Sequence, residues 1–104
     1  MKVVQRGVMK LLPGKTAETM ELMKKHVAAS VRLGMDPSKM RSYRPGFGGG
    51  DVMHTFIFEY EWESLVKFSE FYEKMMQDKE MQDLMSKWEA ITESHSVEVL
   101  VPIP

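Results

Sequence analysis

A chain of 104 residues that is 43% hydrophobic and 28% charged is long enough for one core and too apolar to be a disordered tail. Fourteen basic against fifteen acidic residues leave a formal charge of −1, which excludes the field that nucleic-acid binding draws on, and the absence of cysteine excludes disulfides, thiolate zinc sites and cysteine nucleophiles. No stretch reaches the roughly 18 apolar residues of a membrane span, and polar residues interrupt the N-terminus, so a cytoplasmic protein with no membrane partner is expected.

Lys2 to Leu12 mixes β-branched and polar residues and stops at Pro13-Gly14, which predicts a strand and a turn. Thr16 is the expected cap of a helix whose apolar stripe is Met20, Met23, Val27 and Val31, with Glu21 and Lys25 paired outside and Gly34 ending it. "MDPSK" predicts a turn, "MRSYR" a short strand and "DVMHTFIFEYEW" a stronger one, so the two strands form a hairpin around the glycines between them. From Glu63 the period returns to that of a helix, with Leu65, Phe68, Tyr72, Met75 and Met76 on one stripe and Met81, Leu84, Met85, Trp88 and Ile91 on a second. Lys79 and Asp83 stand where the first stripe would continue, so a break is expected between Gln77 and Glu80. "HSVEVLVP" predicts the last strand.

The order strand, helix, strand, strand, helix, strand is the split βαβ arrangement, an α+β ferredoxin-like domain over residues 1–104 with a four-stranded antiparallel sheet and helices on one face. Val52, Phe56, Phe58, Tyr60 and Trp62 alternate with Met53 and Ile57, so the strand reads as apolar on both faces. A sheet of that kind with one bare face would expose more than the roughly 300 to 600 Å² of apolar patch that monomers tolerate, which predicts a homodimer through the second face.

"LLPGK" (Leu11 to Lys15), "FEYEWESL" (Phe58 to Leu65) and "DKEMQDLMSKW" (Asp78 to Trp88), which together span most of the chain, resemble the dimeric α+β barrel superfamily. The nearest branch is NIPSNAP-like, related to antibiotic-biosynthesis monooxygenase-type domains. The resemblance implies a homodimer with a small-molecule pocket between sheet and helices or inside the shared barrel. Related branches are cofactor-independent monooxygenases, haem-degrading monooxygenases, lactone isomerases and polyketide cyclases. The expected function is therefore binding of a small apolar or aromatic compound, with cofactor-independent oxygenation or isomerisation as the reactions open to it. The alternative is a non-enzymatic interaction or structural module.

The glycine run "GFGGG" is followed by Asp51 and a strand rather than by Lys-Ser/Thr and a helix, which makes it a hairpin tip or a flap rather than a phosphate cradle. His54 shares a strand parity with Val52 and Phe56; it is either a core or interface imidazole or a general base kept neutral by burial. His26, on the charged side of the first helix, and His95, at the start of the last strand, are expected to be exposed. A metal would require His54, His95 and a carboxylate to converge, and no motif marks a haem ligand, a nucleophile elbow or any other cofactor site. Arg6, Arg41, Arg44, Glu59 and Glu98 are charges within strands, expected to pair across the sheet or to line a wet pocket. Arg6 is the ligand-binding candidate among them. Tyr43 and Tyr60 could orient an aromatic ligand while Phe56, Phe58 and Trp88 supply apolar walls, or all could be core.

Overall fold

Residues 1–47 and 53–104 are described by the computed structural model. The first strand, β1, is Val3–Leu11, and Gly14 takes the positive φ of 79° that turns the chain after Pro13. Helix α1 (Thr16–Arg32) follows. Lys15 rather than Thr16 stands at its N-cap, without a side-chain cap bond, and the Thr19 hydroxyl donates instead to the Lys15 carbonyl at 2.8 Å. Gly34, at φ 116°, ends the helix as its sequence position predicts.

A short 3₁₀ turn, Pro37–Lys39, is capped by Asp36, whose Oδ1 accepts from the Ser38 N–H and hydroxyl. It leads into β2 (Met40–Tyr43), and β3 is Thr55–Trp62. Met53 and His54 lie in a turn ahead of β3, so that strand is shorter than expected, and Gly48 to Val52, including most of the glycine run, fall outside the described residues. Helix α2 (Leu65–Gln77) is capped by Ser64, and α3 (Lys79–Ile91) runs without a loop into β4 (Thr92–Leu100). The break falls at Asp78, which leaves helical geometry at ψ 125° and accepts from the Met81 N–H at 3.0 Å. Arg32 reaches Asp78 at 2.7 Å and Glu80 at 3.0 Å, tying the end of α1 to that junction.

The strands form one antiparallel sheet in the order β2-β3-β1-β4, the predicted α+β arrangement. Register sorts its two faces. Val3, Gln5, Gly7 and Met9 pair with Trp62, Tyr60, Phe58 and Phe56 and look toward the helices; Val4, Arg6 and Val8 pair with Glu61, Glu59 and Ile57 and look away. The open face is thus less apolar than the sequence suggested, because all four aromatic residues of β3 share the other parity.

Beneath the helices the core splits in two. One cluster is centred on Leu22, Ala29, Met81, Leu84, Trp88 and Ile91, with Met9 and Leu11 from β1 against it. The other gathers Val3, Met35, Tyr60 and Trp62 at the opposite end of the sheet, joined by Phe68 and Phe71 of α2. Trp62 donates its indole N–H to Gln5 at 3.0 Å, so its polar edge is satisfied inside the core. No residue of the predicted stripes on α1 and α2 is fully buried: Met23, Val27, Phe68 and Met75 are half-buried, and Met20, Val31, Leu65, Tyr72 and Met76 face solvent.

Candidate functional site

Between the two clusters runs the sheet row Phe58–Gly7–Val97. Gly7 has no positive φ and sits mid-strand, where glycine weakens the strand and often marks close approach of another group. No such approach is made by the protein itself. A Cβ built on Gly7 would find its three nearest atoms at 3.8 to 3.9 Å, all from the strand residues Val97, His95 and Phe58 and none from a helix. The middle row of the helix side is therefore low at Gly7, bordered by strand side chains at ordinary contact distance, and its β4 edge is accessible, where Val97 is 48% exposed and His95 is exposed.

His26 borders this region from α1, against the sequence expectation that it is exposed. The buried face of α1 is Thr19, Leu22, Ala29 and Ser30, and at helical spacing His26 falls within it. Its ring meets Trp88 edge-on, with centroids 6.3 Å apart and an interplanar angle of 77°. Nδ1 is buried and has no hydrogen-bond partner among the described residues. Burial, and next the like charge of His95, lower its pKa from the ordinary 6.5, so the neutral imidazole is favoured. A buried nitrogen left without a partner is uncommon in folded proteins and points to a water or a ligand.

The sequence candidates separate between the two faces. Phe56 and Tyr60 lie on the helix side, whereas Arg6 and Tyr43 lie on the open face, so these four residues do not line one pocket. The Tyr60 hydroxyl accepts from the Asp36 N–H at 2.8 Å and is 4% exposed with its side chain in the core. Trp88 is a core residue of α3 whose edge faces His26. The His54 carbonyl accepts from Leu11 N–H at 2.8 Å, which continues the β1–β3 register and gives His54 the parity of Phe56, two residues along on the helix side. Among the described residues no group of three or more His, Asp or Glu side chains could hold a metal.

Gly7 and His26 were missed for physical reasons. Glycine carries no side chain to flag a site, and the buried stripe of α1 contains Thr, His and Ser, so hydrophobic periodicity favoured the neighbouring Met and Val stripe. The signal available was an isolated Gly7 in the middle of a strand pattern.

No family model matches the sequence, and no curated protein does so at a significant level. Solved structures do match. A NIPSNAP family protein from Agrobacterium tumefaciens superposes with a TM-score of 0.81 at 19% identity, covering 99% of this chain and 94% of that one. This chain has the NIPSNAP fold. A NIPSNAP-like domain protein from Burkholderia xenovorans agrees with a TM-score of 0.75 at 15% identity over 98% of this chain and 85% of its own. An antibiotic biosynthesis monooxygenase reaches 0.71 at 12% identity over 98% and 99% of the two chains. At these identities the NIPSNAP likeness carries architecture alone, and function has to be argued from the site.

Proposed function

We propose that the protein is a homodimer whose subunits each bind a small apolar or aromatic molecule over Gly7, between the helix side of the sheet and α1. The single observation that carries the binding site is the side-chain-free row position at Gly7, bordered at contact distance by Phe58, His95 and Val97. Phe56 of the next row extends the apolar wall, and the unpartnered Nδ1 of His26 supplies a polar contact. A few polar groups in a mostly apolar hollow is the usual composition of small-molecule sites. The chemistry that a neutral imidazole adds there is removal of a proton from the ligand, the step that isomerisation and cofactor-independent oxygenation share. The NIPSNAP and monooxygenase neighbours make this reading consistent with the fold. His26 is the first candidate for the base, and His54, at the end of the same face, is the second.

Dimerisation is supported by the shape of the subunit. It measures 39 × 36 × 21 Å, one sheet layer and one helix layer thick, with the outer sheet face bare. Its accessible surface is 7081 Å², against about 6,000 Å² expected for a compact monomer of 12.0 kDa. The excess is comparable to the ~800 Å² per partner that a standard interface covers.

The test is titration with 1-naphthol, followed by tryptophan emission and thermal shift. Saturable binding by the wild type, lost in Gly7→Leu while the dimer and its circular dichroism persist, is the expected result. Unchanged binding in Gly7→Leu overturns the site. Comparing His26→Ala with His54→Ala then assigns the imidazole. A second reading, a non-enzymatic interaction module, is favoured by the solvent-facing Leu65, Val66, Tyr72 and Met76 of α2. It predicts no saturable binding by the wild type.

A further inference from the structure

One row of the open face crosses all four strands. Arg41 pairs in register with Glu59, Glu59 with Arg6, and Arg6 with Glu98, so the row reads plus, minus, plus, minus from β2 to β4. Its internal ion pairs are long, at 3.6 Å from Arg6 to Glu59 and 3.5 Å from Arg6 to Glu98. The Arg41 guanidinium donates to the carbonyls of Ser38 and Met40 at its own sheet edge. On either side of the row lie the apolar residues Val4, Val8, Ile57, Tyr43 and Leu100.

We propose that this charge ladder fixes how two copies of the chain pair across their open faces, by selecting a two-fold axis that runs parallel to the strands. The inference rests on the homodimer proposed above and specifies its symmetry. A face-to-face dimer has its two-fold axis in the plane between the sheets, and each contact occurs twice. With the axis along the strands, strand order is reversed in the partner, so β2 lies over the second copy's β4 and β3 over its β1. Every position of the ladder then meets its opposite: Arg41 faces Glu98 of the second copy, and Glu59 faces Arg6. With the axis across the strands and through the row, each strand lies over its own copy, and Arg41 meets Arg41 while Glu59 meets Glu59.

An alternating row of even length is self-complementary in the first arrangement and self-repelling in the second. The roughly 30° offset between packed sheets moves the outer positions by about 4 Å, less than the ~7 Å between rows, so the pairing survives it. The flanking rows, which mix these apolar residues with Glu61 and Ser96, supply the area that holds the copies together. The ladder supplies register and excludes the alternative, as interfacial charges commonly do.

A mixing experiment tests this directly. The variant Arg41→Glu, Glu59→Arg, Arg6→Glu, Glu98→Arg keeps alternation within each subunit and reverses the ladder. Because the two chains have the same composition, one is labelled with ¹⁵N, and the mixture is dissociated, re-associated and weighed by native mass spectrometry. Each chain is expected to form homodimers, with heterodimers far below the half that random pairing gives. A random half shows that the ladder does not meet itself across the interface and overturns the proposal; an excess of heterodimer overturns the axis. A wild type that stays monomeric at all concentrations overturns the dimer beneath both.

Should the reversed variant fail to fold, the absence of cysteine in the chain gives a second route. Chains carrying Tyr43→Cys and chains carrying Ser96→Cys, mixed with a short bis-maleimide, are expected to crosslink to each other. A wild-type dimer without that crosslink overturns the axis. The single variant Arg6→Glu, which places three acidic residues side by side, should raise the dimer dissociation constant about 100-fold or more; an unchanged constant removes the ladder from the interface.

Discussion

The two faces of this sheet are built on the same strands and do opposite things with charge. The helix side carries Phe56, Phe58, Tyr60 and Trp62 from a single strand, and Gly7 leaves its central row without a β1 side chain. The open side sets a row of alternating charge between rows that mix apolar residues with Glu61 and Ser96. A face that meets helices of the same chain can be wholly apolar, since covalent connection already decides what covers it. In the proposed dimer the open face selects a second copy, which takes a pattern that rejects wrong alignments, and charge provides one where hydrophobic contact is non-directional.

The largest effect that separates the faces is expected at Trp62, which is 6% exposed and packs on Tyr60 and Phe71 with centroids 4.5 and 5.1 Å away. Trp62→Ala removes that packing and the bond to Gln5, a loss on the order of 3–5 kcal/mol, large beside the total stability of a domain this size. Urea unfolding should show it at every protein concentration. Ile57→Ala, five positions earlier on the open face, should leave the stability of the dissociated subunit within about 1 kcal/mol and act on dimer affinity instead. A similar, concentration-independent loss in both variants would mean that the faces are not divided in this way.

A smaller effect concerns His26, and its sign follows from which form the fold favours. Burial and the neighbouring His95 depress its pKa below 6.5, so the folded state prefers the neutral ring. Its contribution is fully present above the unfolded value of about 6.5 and is lost as pH falls through the depressed folded value. Melting temperature should therefore drop more steeply from pH 7 to pH 5 in the wild type than in His26→Phe, which keeps a ring beside Trp88 without a titrating nitrogen. Parallel pH profiles would remove the buried imidazole from the account.

Much of the architecture was legible because its signals are local. Pro13-Gly14, Gly34 and the phase change at Lys79 mark element ends through backbone geometry, and each end lies close to where these residues place it. The break at Asp78 was readable from phase alone, since apolar residues could not stay on one stripe across it. The helix faces were less legible: on the buried side of α1 Leu22 stands with Thr19, Ala29 and Ser30, three small or polar residues that pack closely without announcing themselves as hydrophobic. The charge ladder was half legible. Arg6, Arg41, Glu59 and Glu98 stood out as charges within strands, but their alignment into one row depends on register, and register is a tertiary property.

The smallest effect is also the sharpest test of the proposed site on the helix side. If Gly7 were needed for tight packing, adding one methyl group would force its neighbours apart at a cost of one to several kcal/mol. The nearest atoms instead stand at 3.8 Å, ordinary contact distance, and the backbone has no positive φ to relieve. Gly7→Ala should then be neutral or stabilise the fold by up to about 1 kcal/mol, because alanine loses less conformational freedom than glycine on entering a strand. Ligand affinity should fall in the same variant, since the methyl takes space the ligand would use. A protein that gains stability and loses binding from one added carbon is keeping that position open for something other than its own packing, whereas a destabilised Gly7→Ala would return Gly7 to the core.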